Sequence, residues 1–132
     1  MNAIAARITG FQHIGLPTND IEKTIAFYET LGFEVVRRED IPSDKVAFLK
    51  LKNMVIETYE SKAGPCAKGI DGAIDHIALD VDDIEATLAA VKAAGLKPMT
   101  EEIQFLPFWE KGFRFFKVLG PNNEPVEFGQ IL

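Results

Sequence analysis

The sequence predicts an α+β fold made of two tandem βαβββ modules, and an internal repeat is the main observation behind this prediction. Segment 11–32 (FQHIGLPTNDIEKTIAFYETLG) aligns without a gap with segment 74–95 (IDHIALDVDDIEATLAAVKAAG), so that His13 falls on His76. Each copy has the pattern of a strand followed by an amphipathic helix, and three extended segments follow each helix. The chain therefore uses one structural unit twice.

The strand and the helix of each copy have separate signals. The alternation in FQHIGL predicts a strand over 11–16. Asn19 followed three residues later by Glu22 has the form of a capping box that begins a helix, and Asp82 with Glu85 repeats it. Apolar residues then recur at i, i+4 and i+7, as a helix that packs on a sheet requires. They are Ile21, Ile25 and Tyr28 in the first copy and Ile84, Leu88 and Val91 in the second.

Extended segments follow the helices. Gly32 and Gly95 predict the helix ends, because glycine adopts the left-handed conformation that closes a helix. The predicted strands are 33–40, 45–51 and 54–60 in the first module and 96–103, 113–119 and 125–131 in the second. Residues 61–72 (SKAGPCAKGIDG) have the composition of a linker. We therefore predict one domain over 1–132, with module 1 at about 8–60, the linker at 61–72 and module 2 at about 73–131.

The second module is longer than the first. The last strands align at an offset of 70 residues, which matches Glu57 with Glu127, whereas the histidines are 63 residues apart. The seven extra residues fall in or beside 104–111 (QFLPFWEK). Such an aromatic segment suits either a lid over a pocket or an oligomer contact.

Composition narrows the function. The chain has 132 residues, of which 47% are hydrophobic and 26% charged, so it can bury a core and is not a disordered chain. A net charge of −6 without a block of Lys and Arg argues against nucleic acid or an anionic membrane as partner. A single cysteine and the lack of a long apolar run predict a cytoplasmic protein. A small molecule is the expected substrate.

Two histidines and two glutamates form the candidate site. His13 and His76 lie on the first predicted strand of each module, and Glu57 and Glu127 lie in the last, among apolar residues. A buried carboxylate is costly unless it is paired or bound to a metal. Taken singly, each residue is more simply a structural histidine or a solvent-facing glutamate, but all four occupy repeat-equivalent positions. We therefore predict a mixed nitrogen and oxygen site for a divalent first-row metal.

The same residues resemble a known family. The sequence around FQHIGL and DIEKTIAFYETLGFE, then VIE, DHIAL and LGPNNEPVEF, resembles the vicinal oxygen chelate (VOC) superfamily, and within it glyoxalase I, or lactoylglutathione lyase. In that superfamily, paired βαβββ modules form a cup-shaped mixed sheet with helices on the outer face. The resemblance implies that His13, Glu57, His76 and Glu127 hold one divalent ion, which is nickel, cobalt, zinc or manganese, and that the protein is a homodimer.

The resemblance also implies a reaction. A glyoxalase I moves a proton next to a carbonyl, through a metal-bound enediolate, on the hemithioacetal of a 2-oxoaldehyde. It implies Glu127 as the catalytic base, with Glu57 as a ligand or partner acid. Any binding of a charged thiol falls to basic side chains without a recognisable motif, namely Arg37, Arg38, Lys45, Lys111 and Arg114.

Two alternatives stay open. The sequence also resembles methylmalonyl-CoA epimerase, which racemises a carbon next to a thioester. In that family the position of Glu57 is commonly glutamine, so glutamate favours the lyase. A metal-free module that binds a small molecule or an antibiotic is the third possibility, and the aromatic residues of 105–116 suit it.

Overall fold

The computed structural model describes residues 2–3, 5–7, 9, 11–70, 72, 74 and 76–132, in two compact units, Met1–Cys66 and Ala67–Leu132. The first unit contains a short 3-10 helix (Ala5–Arg7), β1 (Ile14–Thr18), α1 (Ile21–Thr30), β2 (Glu34–Asp40), β3 (Asp44–Leu51) and β4 (Met54–Ser61). The second contains β5 (Ile77–Asp80), α2 (Ile84–Ala93), β6 (Gln104–Leu106), β7 (Phe113–Leu119) and β8 (Pro125–Ile131). In the described residues, no helix is both long and apolar enough to cross a membrane.

The two units have the same topology. The first unit is a four-stranded sheet in the order β1-β4-β3-β2, and the second is a four-stranded sheet in the order β5-β8-β7-β6. In each, the first strand runs parallel to the last and the other pairs are antiparallel. The predicted α+β fold of two βαβββ modules is confirmed. The division between the units falls inside the predicted linker 61–72, and the prediction that the whole chain is one domain stays a prediction.

Each helix packs on one face of its own sheet. Ile21, Ile25 and Tyr28 of α1 are buried, as the stripe predicted. In α2, Ile84 and Val91 are buried, while Leu88 is half-buried. The sheet residues that meet the helices are also apolar, including Leu49 and Ile56 in the first unit and Phe116 and Val126 in the second. Because strand residues alternate, the face away from the helix carries the residues between them.

The predicted helix caps are wrong by one residue in both modules. The N-caps are Asp20 and Asp83, whose side chains accept hydrogen bonds from the backbone N–H three residues later. Asn19 does not cap because its side chain accepts instead from the Cys66 N–H, at 2.8 Å. The helix ends are confirmed, since Gly32 has a φ of 101° and Gly95 a φ of 83°.

A side chain of the last strand also accepts a hydrogen bond from the first residue of each helix. The Glu60 Oε1 of β4 accepts a hydrogen bond from the Ile21 N–H at 3.0 Å, and the Gln130 Oε1 of β8 accepts one from the Ile84 N–H at 2.9 Å. These two acceptors are 70 residues apart, like Glu57 and Glu127. The duplication therefore extends to the hydrogen bonds that join each helix to its last strand.

The strand predicted at 96–103 is wrong. Within that segment only Pro98 pairs, in an isolated bridge with Val118, and Met99 donates its N–H to the Lys117 carbonyl. Pro98 lacks a backbone donor, and the residues after it, Met99 to Glu102, are exposed, so the segment lacks the apolar face of a strand. The edge strand is instead β6, which comes from the segment predicted as an insertion.

The ring of Phe113 leaves room for only a glycine at position 129. The ring of Phe113 lies over Gly129, so that an added Cβ would be 2.4 Å from the Phe113 Cζ. At Gly15, in β1, an added Cβ would meet nothing within 4 Å. A methyl group would therefore clash with the Phe113 ring at position 129 but meet no other atom at position 15.

We expect Gly129→Ala to lower the free energy of unfolding by about 1–3 kcal/mol, the usual effect of overpacking. Gly15→Ala should instead leave it unchanged or raise it by less than about 1 kcal/mol, since alanine restricts the unfolded chain. Urea unfolding followed by circular dichroism measures both. Equal stabilities for the two variants would show that the Phe113 ring does not pack on Gly129.

The turn before β8 contains a partly buried carboxylate. The Glu124 Oε1 accepts from the Asn122 N–H at 3.3 Å, whereas its Oε2 is buried and without a hydrogen bond among the described residues. Burial raises the pKa of Glu124 above its usual value of 4.5. The Glu124 carboxyl therefore holds its proton more tightly in the folded state than in the unfolded state. As a result, the free energy of unfolding of the protein falls as the pH rises from 4.5 through the raised pKa.

Glu124→Gln should therefore stabilise the protein at pH 7, and the gain should shrink as the pH is lowered toward 4.5. Thermal unfolding between pH 4 and pH 8 measures this difference. Glu110→Gln, at an exposed position, is the matched control and should show no pH-dependent gain. A gain that is the same at every pH would contradict the explanation from burial.

Candidate functional site

The first module brings one predicted histidine and one predicted glutamate together. His13 directly precedes β1, and Gly15 is the register partner of Glu57 in the parallel pair of β1 and β4. The His13 Nε2 lies 3.1 Å from the Glu57 Oε2. About a third of the His13 side chain is exposed (33%), and that of Glu57 is similar. The pair is therefore formed by the pairing of the first strand with the last.

The second module repeats this arrangement. His76 directly precedes β5, and Ala78 is the register partner of Glu127 in β8. The His76 Nε2 lies 3.9 Å from the Glu127 Oε2. Only 10% of the Glu127 side chain is exposed. Among the described residues, Glu127 is the one charged residue that is buried.

The face of each sheet follows from the strand register. Glu57 lies between Ile56 and Thr58, which are buried on the helix side, so its side chain lies on the opposite face. Glu127 lies opposite Lys117, and the alternation of β7 puts Lys117 on the face away from Phe116 and Val118. Both histidine–glutamate pairs therefore lie on the side of their sheet that the helix leaves uncovered.

Gln12 orients the first imidazole. The His13 Nδ1 lies 2.9 Å from the Gln12 Oε1, and an amide oxygen accepts, so Nδ1 carries the hydrogen. The His13 Nε2 then faces the Glu57 carboxylate. Two acceptors at this distance need a proton or a cation between them. The ring also meets the edge of Phe48, with centroids 6.3 Å apart.

The residues of each module fit part of a metal site. Imidazole nitrogen and carboxylate oxygen are ligands of divalent first-row metals. Two ligands with bonds of about 2.1 Å at a right angle are about 3.0 Å apart, close to the 3.1 Å of the first pair. Within each unit, the described residues hold no group of three or more His, Cys, Asp or Glu side chains that could bind a metal. Each module offers two ligands, and the convergence of both pairs on one ion stays a prediction.

Four of the five basic residues predicted as thiol contacts are engaged in ion pairs. Arg38 binds Glu22 through its two terminal guanidinium nitrogens, and these hydrogen bonds lower the pKa of Glu22. Arg114 binds Glu85 at 3.0 Å. Both pairs join a helix to its sheet. Lys45 lies 3.7 Å from Glu60 and Arg37 binds Glu39. Arg37 is the register partner of Phe48, so it lies on the same face as Glu57.

Sequence reasoning missed Gln12 and Lys117. Gln12 lies next to His13 in the sequence, and strict alternation places it on the other face of a strand. His13 lies just before β1, where alternation does not apply, so no pattern signalled the contact. Lys117 could have been found, because in FRFFKVL it alternates with Phe113 and Phe115 and pairs with Glu127.

Comparison with known proteins gives the family. The Glyoxalase/Bleomycin resistance protein/Dioxygenase superfamily model matches residues 10–126. The uncharacterized protein YwbC of Bacillus subtilis is 32% identical over 127 residues, which covers 89% of this chain and 94% of YwbC. A probable chloroplastic lactoylglutathione lyase of Arabidopsis thaliana is 36% identical and covers 86% of this chain, which spans 37% of that relative. Human mitochondrial methylmalonyl-CoA epimerase is 29% identical over 70% of this chain and 57% of its own length.

Solved structures show the same fold. A glyoxalase family protein from Enterococcus faecalis superposes with a TM-score of 0.76 at 26% identity, covering 92% of this chain and 97% of that one. The fosfomycin resistance protein FosX of Listeria monocytogenes, complexed with Mn(II), superposes with a TM-score of 0.70 at 20% identity, covering 95% and 94%. With its duplicated topology and a match that spans most of its length, this chain belongs to the glyoxalase/bleomycin resistance/dioxygenase (VOC) superfamily.

Proposed function

We propose that this protein is a divalent-metal-dependent lyase of the glyoxalase I type, which isomerises the hemithioacetal of a 2-oxoaldehyde to a 2-hydroxy thioester. The observation that carries the proposal is the pair of equivalent contacts, His13 with Glu57 and His76 with Glu127. The relatives named as probable lactoylglutathione lyases support the same reaction. Action in the cytoplasm, as a homodimer, is part of this proposal.

His13, Glu57, His76 and Glu127 would hold the metal. A bound divalent ion supplies Lewis acidity, which acidifies a carbon-bound proton next to a carbonyl and stabilises negative charge on two adjacent oxygens. Nickel, cobalt, zinc and manganese all accept this set of ligands. The hydrogen bond from His13 Nδ1 to Gln12 keeps Nε2 directed toward Glu57, so Gln12 supports the ligand from outside the site.

Glu127 is the proposed base. Its carboxylate takes the proton from the carbon that carries the sulfur and returns it to the neighbouring carbon. Since only a tenth of its side chain is exposed, few water molecules reach the proton that it holds. Glu57, which is more exposed, serves as ligand or partner acid. Arg37, on the same face as Glu57, is the proposed contact for an anionic thiol.

An epimerase acting next to a thioester is the second candidate, because the chain is 29% identical to human methylmalonyl-CoA epimerase over 70% of its length. The two reactions share the removal of a proton next to a carbonyl. They differ in substrate, so parallel assays separate them. The first follows the thioester absorbance formed from methylglyoxal and glutathione, and the second follows solvent deuterium entering methylmalonyl-CoA.

We expect the protein loaded with nickel, cobalt, zinc or manganese to form the thioester, and the chelated protein to lose this activity and regain it with the metal. Elemental analysis of the purified protein gives the metal content. Deuterium exchange into methylmalonyl-CoA without thioester formation would replace the lyase by the epimerase. A protein that takes up none of these metals would be a binding module.

Glu127→Gln should lower kcat by at least about 100-fold, the usual contribution of a general base, while the fold is retained. Exchange of the substrate proton with deuterated solvent measures the same step directly. Glu124→Gln is a matched control, since it changes a partly buried carboxylate three residues away and should leave kcat within twofold. If both variants exchange the proton at the wild-type rate, Glu127 is not the base.

Replacing either histidine should weaken the metal more than replacing Gln12. Loss of an outer-shell partner lowers metal affinity about 10- to 100-fold, so this range is expected for Gln12→Ala, and a larger loss for His13→Ala or His76→Ala. Titration calorimetry with the metal measures each value. Because the chain has only two histidines, unchanged affinity in both histidine variants would exclude an imidazole-bound metal.

A further inference from the structure

A continuous set of aromatic side chains lies in the second module, and we call Phe108, Trp109, Phe113 and Phe115 the aromatic wall. Phe113 stacks on Phe115 with ring centroids 5.5 Å apart and planes at 13°, and on Phe108 at 6.4 Å and 14°. The Trp109 ring meets Phe113 at 5.3 Å. The four rings are therefore one surface, centred on Phe113.

The aromatic wall lies on the same face of the sheet as Glu127. Phe115 is the register partner of Gly129, and Lys117 is that of Glu127, so Phe115 and Glu127 share a face. Glu127 and Gly129 are two residues apart, which is about 7 Å along a strand. Gly129 has no side chain, and the Phe113 ring occupies the space above it. The aromatic surface therefore begins next to the proposed base.

The outer part of the wall remains in contact with solvent. Phe108 is 49% exposed and Trp109 is 61% exposed. Trp109 also has a φ of 57°, a left-handed conformation that a bulky residue rarely adopts. Gly112, at a φ of 106°, closes the same loop. The loop thus holds a large apolar ring in water at a conformational cost, as binding sites often do.

Among its described residues, the first module has no equivalent surface. The positions that match Phe115 and Gly129 in the register are Val46 and Tyr59, and the position that matches Phe113 is Asp44. Both modules keep a histidine–glutamate contact, but only the second has the wall. The wall therefore serves one end of a bound molecule rather than the shared pair of ligands.

We propose that the aromatic wall binds the aryl group of the substrate, so that the preferred substrate is the hemithioacetal of an aryl-substituted 2-oxoaldehyde. This inference rests on the proposed lyase function. The wall contains no charged group, so it suits a neutral and flat substituent. An aryl group can contact the faces and the edges of the stacked rings. An aryl group bonded directly to the carbonyl carbon reaches the wall while the reacting carbons lie at Glu127.

The reaction on such a substrate balances without a further reagent. The hydrogen leaves the carbon that carries the sulfur and the hydroxyl group, and that carbon becomes the thioester carbonyl. The neighbouring ketone carbon receives the hydrogen and becomes the carbon of a secondary alcohol. The product is an aryl 2-hydroxy thioester, and nothing is oxidised or reduced overall.

The first test compares kcat/KM for the glutathione hemithioacetals of phenylglyoxal and methylglyoxal with the metal-loaded protein. We expect the aryl substrate to be favoured at least tenfold in the wild type. Phe113→Leu and Phe115→Leu should each reduce this preference at least threefold, measured as the ratio of the two kcat/KM values. Phe27→Leu, at a half-buried ring on α1, is the matched control and should not change the preference.

The second test does not depend on turnover. Trp109 is the single tryptophan, so its fluorescence reports occupation of the wall. Mandelate, an aryl 2-hydroxy acid, should shift this emission and bind the metal-loaded protein at least tenfold more tightly than lactate. Phe113→Leu should remove that difference, whereas Phe27→Leu should keep it.

The outcomes separate the two proposals. Turnover of methylglyoxal with no aryl preference, and equal binding of mandelate and lactate, would overturn the aromatic wall as an aryl site and leave the lyase standing. If neither aldehyde reacts with any metal, the lyase fails, and the fluorescence titration alone decides whether the wall binds aryl groups. A third outcome would assign the wall to an interface between two copies of the chain. In that case the wild type is a dimer, Phe108→Ser dissociates it, and the aryl preference and mandelate binding stay unchanged. This result would overturn the proposal.

Discussion

The parallel pairing of the first strand of each module with its last strand is the constraint on which the candidate site depends. It places a histidine, located just before the first strand, against a glutamate near the middle of the last. The residue opposite each glutamate is small, Gly15 in one module and Ala78 in the other. An added Cβ at Gly15 would meet nothing within 4 Å, so the contact is a consequence of strand register.

This contact also sets the chemistry. With Nδ1 of His13 donating to Gln12, Nε2 faces the Glu57 carboxylate at 3.1 Å, and a contact at this distance requires a positive charge on or between the two groups. A proton would satisfy it as an ion pair, and a divalent cation would satisfy it as a coordination site. In the second module the His76 Nε2 lies 3.9 Å from the Glu127 Oε2, and this carboxylate is more buried than that of Glu57. Each unit thus carries one histidine–glutamate contact at equivalent positions.

The sequence was sufficient for what is local or repeated. The helical stripes, the glycine helix ends and five of the six strands after the helices follow from periodicities within single segments. The caps were displaced because Asn19 and Asp20 are adjacent residues that both suit a cap, and a tertiary hydrogen bond to the Cys66 N–H decides between them. Segment 96–103 was assigned as a strand because an edge strand needs little apolar character, although Pro98 and the acidic residues after it argue against one. The edge strand is formed by 104–106 instead. The repeat predicted equivalent positions for the two histidines and the two glutamates. The contact of each histidine with the glutamate of its own module was not predicted, because it follows from the pairing of the first strand with the last.

Duplication explains why the two modules share ligands and differ elsewhere. After a duplication, a change on the helix side disturbs a packed core, whereas a change on the open side of the sheet meets fewer neighbours. The helix contacts are accordingly equivalent in both modules, down to the acceptors Glu60 and Gln130. On the open side only the histidine and the glutamate are kept, while Tyr59 corresponds to Gly129 and Val46 to Phe115. Gly129 leaves room for the Phe113 ring, and residues 104–111 include Phe108, which stacks on Phe113, and Trp109. The two sheets thus differ in the residues beside the glutamate while the histidine–glutamate contact is the same.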